Sequence, residues 1–201
     1  TTLSPWRGFF SRLLKEQNLV SVYFDTPKHT LSRNDVTLRV RHNGDKRVQT
    51  IKSGGLANYF RRGEWEHEIK GDFPDLRKAR NSALSLLLTK KLKRKLKPIF
   101  ETHIHRTSIP VRKNGTLIEA ALDSGHVRAG RRSAAIGELE LELKRGKAGE
   151  VFKLAREMGQ LVPATLALKS KSELGYDLIE NKPAEAVRAA KIVLQPEMTA
   201  A

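Results

Sequence analysis

The chain has 201 residues, 39% of them hydrophobic and 30% charged, enough for one domain with a sizeable core and too apolar for a disordered chain. Its 38 Lys and Arg against 22 Asp and Glu give a formal net charge of +16, which favours polyanionic partners such as nucleic acid, phosphates or a membrane surface. It has no cysteine, which excludes disulfides and thiolate metal sites, no apolar run near the ~20 residues of a membrane span, and no signal peptide, so a cytoplasmic protein is expected.

Residues 1–19 place Ser4-Pro5 ahead of Trp6, Phe9, Phe10, Leu13 and Leu14 at helical spacing, which predicts an amphipathic N-terminal helix. Val20 to Asp25 is β-rich and is stopped by Thr26-Pro27. Val36, Leu38 and Val40 alternate with Thr37, Arg39 and Arg41, and Asn43-Gly44-Asp45 turns the chain into a returning strand, 48–52, that ends on Lys52. After a Gly-rich loop, Arg62, Glu64, Glu66 and Glu68 share one parity, with Trp65, His67 and Ile69 on the other.

Residues 77–97 read as helical, with a stripe of Ala83, Leu84, Leu87, Leu88 and Leu92 and six basic residues among the last eight. Such a run is read as a solvated helix end, with nucleic-acid binding as the minor alternative. Ile99 to Ile109 is a further strand, carrying Glu101, His103, His105 and Arg106. Its two histidines have metal-ligand spacing, but no third nitrogen or sulfur ligand stands out. Asn114-Gly115 turns the chain back through 116–122, with Glu119, Ala121 and Asp123 on one parity.

Gly137 to Lys144 alternates strictly: Glu138, Glu140, Glu142 and Lys144 on one face, Leu139, Leu141 and Leu143 on the other. Carboxylates spaced about 7 Å apart along one strand face repel one another unless cations sit between them. Residues 147–161 form a helix with a stripe of Val151, Leu154, Ala155 and Met158, and the stretch 166–176 carries Lys169, Lys171 and a break at Leu174-Gly175-Tyr176. Beyond Pro183 the pattern weakens into an Ala- and charge-rich tail.

Seven strand candidates follow: 20–25, 36–41, 48–52, 62–69, 99–109, 116–122 and 136–144. Most are charged on one face and apolar on the other. A closed antiparallel barrel would turn the charges inward and let helices cover the outside. Its interior would hold Arg39, Arg41, Lys52, Glu64, Glu138, Glu140, Glu142 and Lys171. Carboxylates beside Arg and Lys in one cavity suit a metal–polyphosphate ligand.

Several segments in order carry a specific resemblance: Tyr23-Phe24-Asp25-Thr26-Pro27, Thr37-Leu38-Arg39-Val40-Arg41, Thr50-Ile51-Lys52, Phe100-Glu101-Thr102, Ala121 to Gly125, Gly137 to Lys144, and Ser170 to Tyr176. The chain resembles a CYTH domain, a triphosphate tunnel metalloenzyme, nearest the bacterial inorganic triphosphatases, over residues 20–182. The resemblance implies an α+β fold, an eight-stranded antiparallel β-barrel with covering helices, and metal-dependent hydrolysis of inorganic triphosphate with Mg2+ or Mn2+. It makes Arg39, Arg41, Lys52, Arg106 and Lys171 phosphate-binding, with Arg62 a further candidate, and Lys171 and Arg106 catalytic. Glu140 and Glu142, with Glu138 or Glu64 assisting, would hold the metal.

One departure is plain: nothing in residues 1–19 supplies the family's N-terminal Glu-x-Glu-x-Lys strand. The expected barrel therefore lacks its first strand, and binding of triphosphate is expected to outlast hydrolysis. The alternatives are a non-catalytic polyphosphate-binding module and a basic nucleic-acid-binding protein. Residues 183–201 read as a linker that resembles the segment leading into a CHAD domain, which would imply a fused polyphosphate-binding partner domain.

Overall fold

A computed structural model describes residues 14–54, 63–167 and 169–182. They form one seven-stranded antiparallel sheet with helices on both faces, an α+β architecture. The strands are β1 (Lys15–Asp25), β2 (Val36–Asn43), β3 (Lys46–Ser53), β4 (Gly63–Ile69), β5 (Lys97–Lys113), β6 (Thr116–Ala129) and β7 (Arg132–Arg145). They lie in the order β4-β3-β2-β1-β5-β6-β7. Each expected strand is present, and four of them run several residues beyond their expected bounds.

Several expectations need correction. Residues 15–19 are the start of β1, paired with β5, and not the end of a helix; residues 1–13 and 183–201 lie outside the described residues. The sheet does not close: among the described residues β4 and β7 each pair on one side only, because no eighth strand joins them. The segment 77–97 is not one helix. It divides into a 3-10 turn over Ala83–Leu87 and a short helix α1 (Lys90–Lys95), because the Ser82 and Thr89 side chains each accept a backbone N–H and start a new turn.

The expected apolar stripe survives that change. Leu84, Leu92 and Leu96 are buried with Phe24, Val36, Leu38, Val40 and Ile51, while Ala83, Leu87 and Leu88 pack at the margin. These residues seal the apolar face of β1–β4. On the same face of β5–β7, helix α2 (Ala148–Leu161) buries Leu154 and Met158 against Ile118. It covers β7 only in part, so Leu139 and Leu143 of the alternating strand stay partly exposed.

The opposite face carries the charges and one helix, α3 (Lys171–Glu180). Its capping box is complete: Ser170 Oγ accepts from Glu173 N, and Glu173 accepts from Ser170 N at 2.8 Å. The expected break at Gly175 does not occur. The helix runs through it because a Cβ there would stand 2.3 Å from the Phe100 ring, so glycine lets α3 settle onto the sheet. Leu174, Tyr176, Leu178 and Ile179 then pack on Leu19, Tyr23, Phe100, Ile104, Val127 and Ile136.

The Tyr-Phe-Asp-Thr-Pro segment is the clasp of this end. Asp25 is fully buried and accepts from Thr26 N at 2.6 Å, Leu31 N at 2.9 Å, Ser32 N at 3.0 Å and the Tyr176 hydroxyl at 2.8 Å. One carboxylate thus ties β1, the following loop and α3 together. Burial, and then Asp25, push the Tyr176 hydroxyl well above the usual tyrosine range, so it stays a donor.

Candidate functional site

The register sets which side chains share the charged face, because directly paired residues point to the same side. Lys52 pairs with Glu64 and Thr37, Arg41 with Ser21, and Arg39 with Tyr23. Across β1 the same face continues through Gln17 to Arg106, then Asp123, then Glu138, with Glu140 one step along β7. Arg106 therefore faces away from its neighbour His105, which bonds Asn18 on the other side. Gly125 is needed in this lattice, since a Cβ there would lie 1.9 Å from the His103 carbonyl oxygen on β5.

On the β5–β7 half, acids and bases meet. Arg106 donates from Nε to Asp123 Oδ1 at 2.6 Å, from Nη2 to Asp123 Oδ2 at 2.7 Å, and from Nη2 to Glu140 Oε2 at 2.5 Å. From the start of α3, Lys171 Nζ reaches Asp123 Oδ2 at 2.9 Å, Glu138 Oε2 at 2.5 Å and Glu140 Oε1 at 2.6 Å. Asp123 is fully buried, and Glu140 is half exposed.

The charges respond to one another. Burial opposes ionisation of Glu140, yet Lys171 and then Arg106 hold its carboxyl down at about 2. Burial would lower Lys171, but Glu140 and Asp123 outweigh it and raise the ammonium above its ordinary value. The hydrogen bond to Asp123 raises Arg106 in the same way.

The β2 half differs. Arg39 and Arg41 are half-buried, no carboxylate lies within 4 Å of either among the described residues, and Arg39 Nε is buried without a hydrogen-bond partner. Arg41 Nε donates to Ser21 Oγ at 3.2 Å. Burial and then the neighbouring Arg39 lower Arg41 to about 10. Two half-buried cations held side by side in this way favour an anion between them.

The expected residues separate as follows. Arg39, Arg41, Arg106, Lys171, Glu138 and Glu140 share the face. Lys52 and Glu64 are on it too, but they pair with each other at 3.0 Å across β3 and β4, so Glu64 does not join the carboxylate cluster. Glu142 does not join it either: it lies two residues further along β7, is exposed, and pairs with Lys144 at 2.8 Å. Arg62 lies outside the described residues.

The residue that sequence reasoning missed is Asp123. Its parity with Glu119 was visible, but only the register brings it beside Glu138 and against Arg106. Asp123, Glu138 and Glu140 each bring a carboxylate oxygen to within 4.8 Å of the others. An all-oxygen, all-anionic donor set of this kind fits a hard divalent cation.

The fold and this face define a class: an antiparallel α+β sheet with carboxylates and cations interleaved on one side and helices sealing the other. The model of the CYTH domain family matches residues 7–177, and the chain belongs to that family. It is 29% identical over 169 residues to an inorganic triphosphatase of Haemophilus influenzae, a match that covers 82% of this chain and 47% of that protein. The chain thus spans about half the length of that relative. The fold is similar to that of the PH1819 protein of Pyrococcus horikoshii OT3, with a TM-score of 0.54 at 22% identity over 90% of this chain and 93% of the other. The PH1012 protein of the same organism gives 0.50 at 17% identity, covering 85% and 90%. Among the described residues no helix is long and apolar enough to cross a membrane.

Proposed function

We propose that the charged face binds inorganic triphosphate and supports its hydrolysis with Mg2+ or Mn2+. The observation that carries this reading is the Arg39–Arg41 pair, half-buried with an unpartnered Nε, on the same face as a three-carboxylate cluster. A linear polyanion laid along the face would satisfy the arginines, which bind phosphate oxygens in forked pairs. The family membership and the triphosphatase relative point to the same substrate class.

Asp123, Glu138 and Glu140 would hold the metal, which would supply charge neutralisation at the phosphate oxygens. In the reaction water oxygen bonds to the terminal phosphorus while the bond to the bridging oxygen breaks, giving phosphate and diphosphate, and the water's protons pass to the phosphate oxygens of the products and to solvent. Arg39 and Arg41 fix the chain, and Arg106 and Lys171 face the charge that gathers on the oxygens as that bond breaks. Lys171, with its ammonium raised, acts as a fixed cation and not as a proton donor. Glu140, held near 2, is too weak a base to take the water's proton and serves as a ligand and charge partner.

A second reading has its own support. Arg106 and Lys171 already offset two of the three negative charges of the acidic cluster and occupy its oxygens, which favours binding of triphosphate without turnover. Phosphate release from inorganic triphosphate, ATP and thiamine triphosphate, each with Mg2+ or Mn2+, tests both. Release from inorganic triphosphate supports the hydrolytic reading. Tight binding without release supports the second, and neither would overturn the site.

A further inference from the structure

Half of the chain's net charge of +16 lies on the side of the sheet opposite its charged face. Residues 70–97 contain ten Lys and Arg against two Asp, in a layer that packs on the opposite side. Within it, Lys90, Lys91, Lys93, Arg94, Lys95 and Lys97 are all exposed, and none has a carboxylate within 4 Å among the described residues. The few ion pairs of the layer fall elsewhere, on Asp72 and Asp75, with Arg47, His42 and Arg77. Six helical residues rising about 1.5 Å each and two extended ones at about 3.3 Å each hold these six charges within about 15 Å. Repulsion on that scale is unrelieved at low salt, and it is the burial of Leu92 and Leu96 that holds the segment in place.

We propose that this outer layer is a docking surface for the backbone of long-chain inorganic polyphosphate, separate from the face that takes the triphosphate unit. The choice of a chain of phosphates rests on the triphosphate reading of that other face; the anion-binding character of the layer does not. Three features argue against nucleic acid. No aromatic residue lies between Thr89 and Lys97 on which a base could stack. The six-residue α1 is too short to read a groove. Five of the six cations are lysines, point charges suited to phosphate but not to the forked recognition of bases. A polyphosphate has a charge on every phosphorus and no sugar or base to accommodate.

The test compares wild type with Lys91→Glu/Arg94→Glu/Lys95→Glu and the milder Lys91→Gln/Arg94→Gln/Lys95→Gln, both confined to exposed side chains. The probes are long-chain polyphosphate, tripolyphosphate, and single-stranded and duplex oligonucleotides of matched charge. Removing three phosphate contacts should weaken polyphosphate binding about 100-fold at ~0.1 M salt and lower the salt slope by about 2. Binding and hydrolysis of tripolyphosphate should be unchanged in both variants. Conversely, Arg39→Met/Arg41→Met should lose tripolyphosphate binding and keep most of the affinity for long chains. Equal polyphosphate affinity in wild type and the Gln variant would overturn the proposal, as would tighter binding of either oligonucleotide than of polyphosphate. A failure of triphosphate hydrolysis alone would bear on the other face and leave this binding result standing.

Discussion

The two halves of the charged face hold similar residues in opposite electrostatic states. Between β5, β6, β7 and α3, two cations and three carboxylates satisfy one another at 2.5–2.9 Å. On β2, two arginines sit half-buried with one serine hydroxyl as the hydrogen-bond partner of Arg41 and none for Arg39 Nε. The first arrangement is internally complete and contributes to stability. The second carries a cost that a ligand can remove. On the proposed reading, affinity for an anion resides on β2, while the β5–β7 half sets the order of the site.

The largest expected effect tests that division directly. Arg106→Ala leaves Asp123 fully buried without its forked partner and should cost about 3–5 kcal/mol in denaturant unfolding. Arg39→Met should change stability by less than about 1 kcal/mol, or raise it, since it removes a buried Nε without a partner. Equal losses in the two variants would end the comparison.

Next in size is ligand stabilisation. Tripolyphosphate at about 100 times its dissociation constant should stabilise the wild type by about 2.7 kcal/mol. A thermal melt of Arg39→Met/Arg41→Met should show none of that gain. An undiminished shift would place the anion elsewhere.

Lys171→Met removes the cation shared by Asp123, Glu138 and Glu140. Without it, Mg2+ or Mn2+ should raise the melting temperature more than in the wild type, because one competing charge is gone. A smaller metal-induced rise in the variant would show that Lys171 does not compete with metal for these oxygens.

The pH dependence follows from Glu140, whose carboxyl is lowered from 4.5 to about 2. A depressed acid stabilises the fold above its unfolded value and loses that contribution as pH falls through the folded one. Stability should decline between about 4.5 and 2, and Glu140→Gln should flatten that decline. An unchanged acid limb would assign the loss to other carboxylates. A small loss, about 1 kcal/mol, is expected for Tyr176→Phe, since Asp25 keeps three backbone donors.

Much of this architecture was legible from alternation. Period-two patterns, β-rich composition and turn signals marked the strands of the sheet, and the Leu84 and Leu92 stripe marked a covering layer even though the segment is two short turns instead of one helix. Strand ends were less visible. In Lys15–Asn18 the alternation is weak, and the segment is drawn into β1 by pairing with Arg106 and His105. The run from Lys169 to Tyr176 looked broken at glycine, but Gly175 there serves a close packing contact and not a turn.

The sequence by itself determined the strand count, the cationic pair on β2, the carboxylate row on β7 and the basic outer segment, because each is written in neighbouring residues. Only the tertiary structure decided that Asp123 completes the cluster, that Glu64 and Glu142 stand outside it, and that Lys171 enters from a helix. Those outcomes depend on the register between strands and on where α3 docks. Both are set by side-chain packing between segments far apart in the chain, and local patterning carries no record of them.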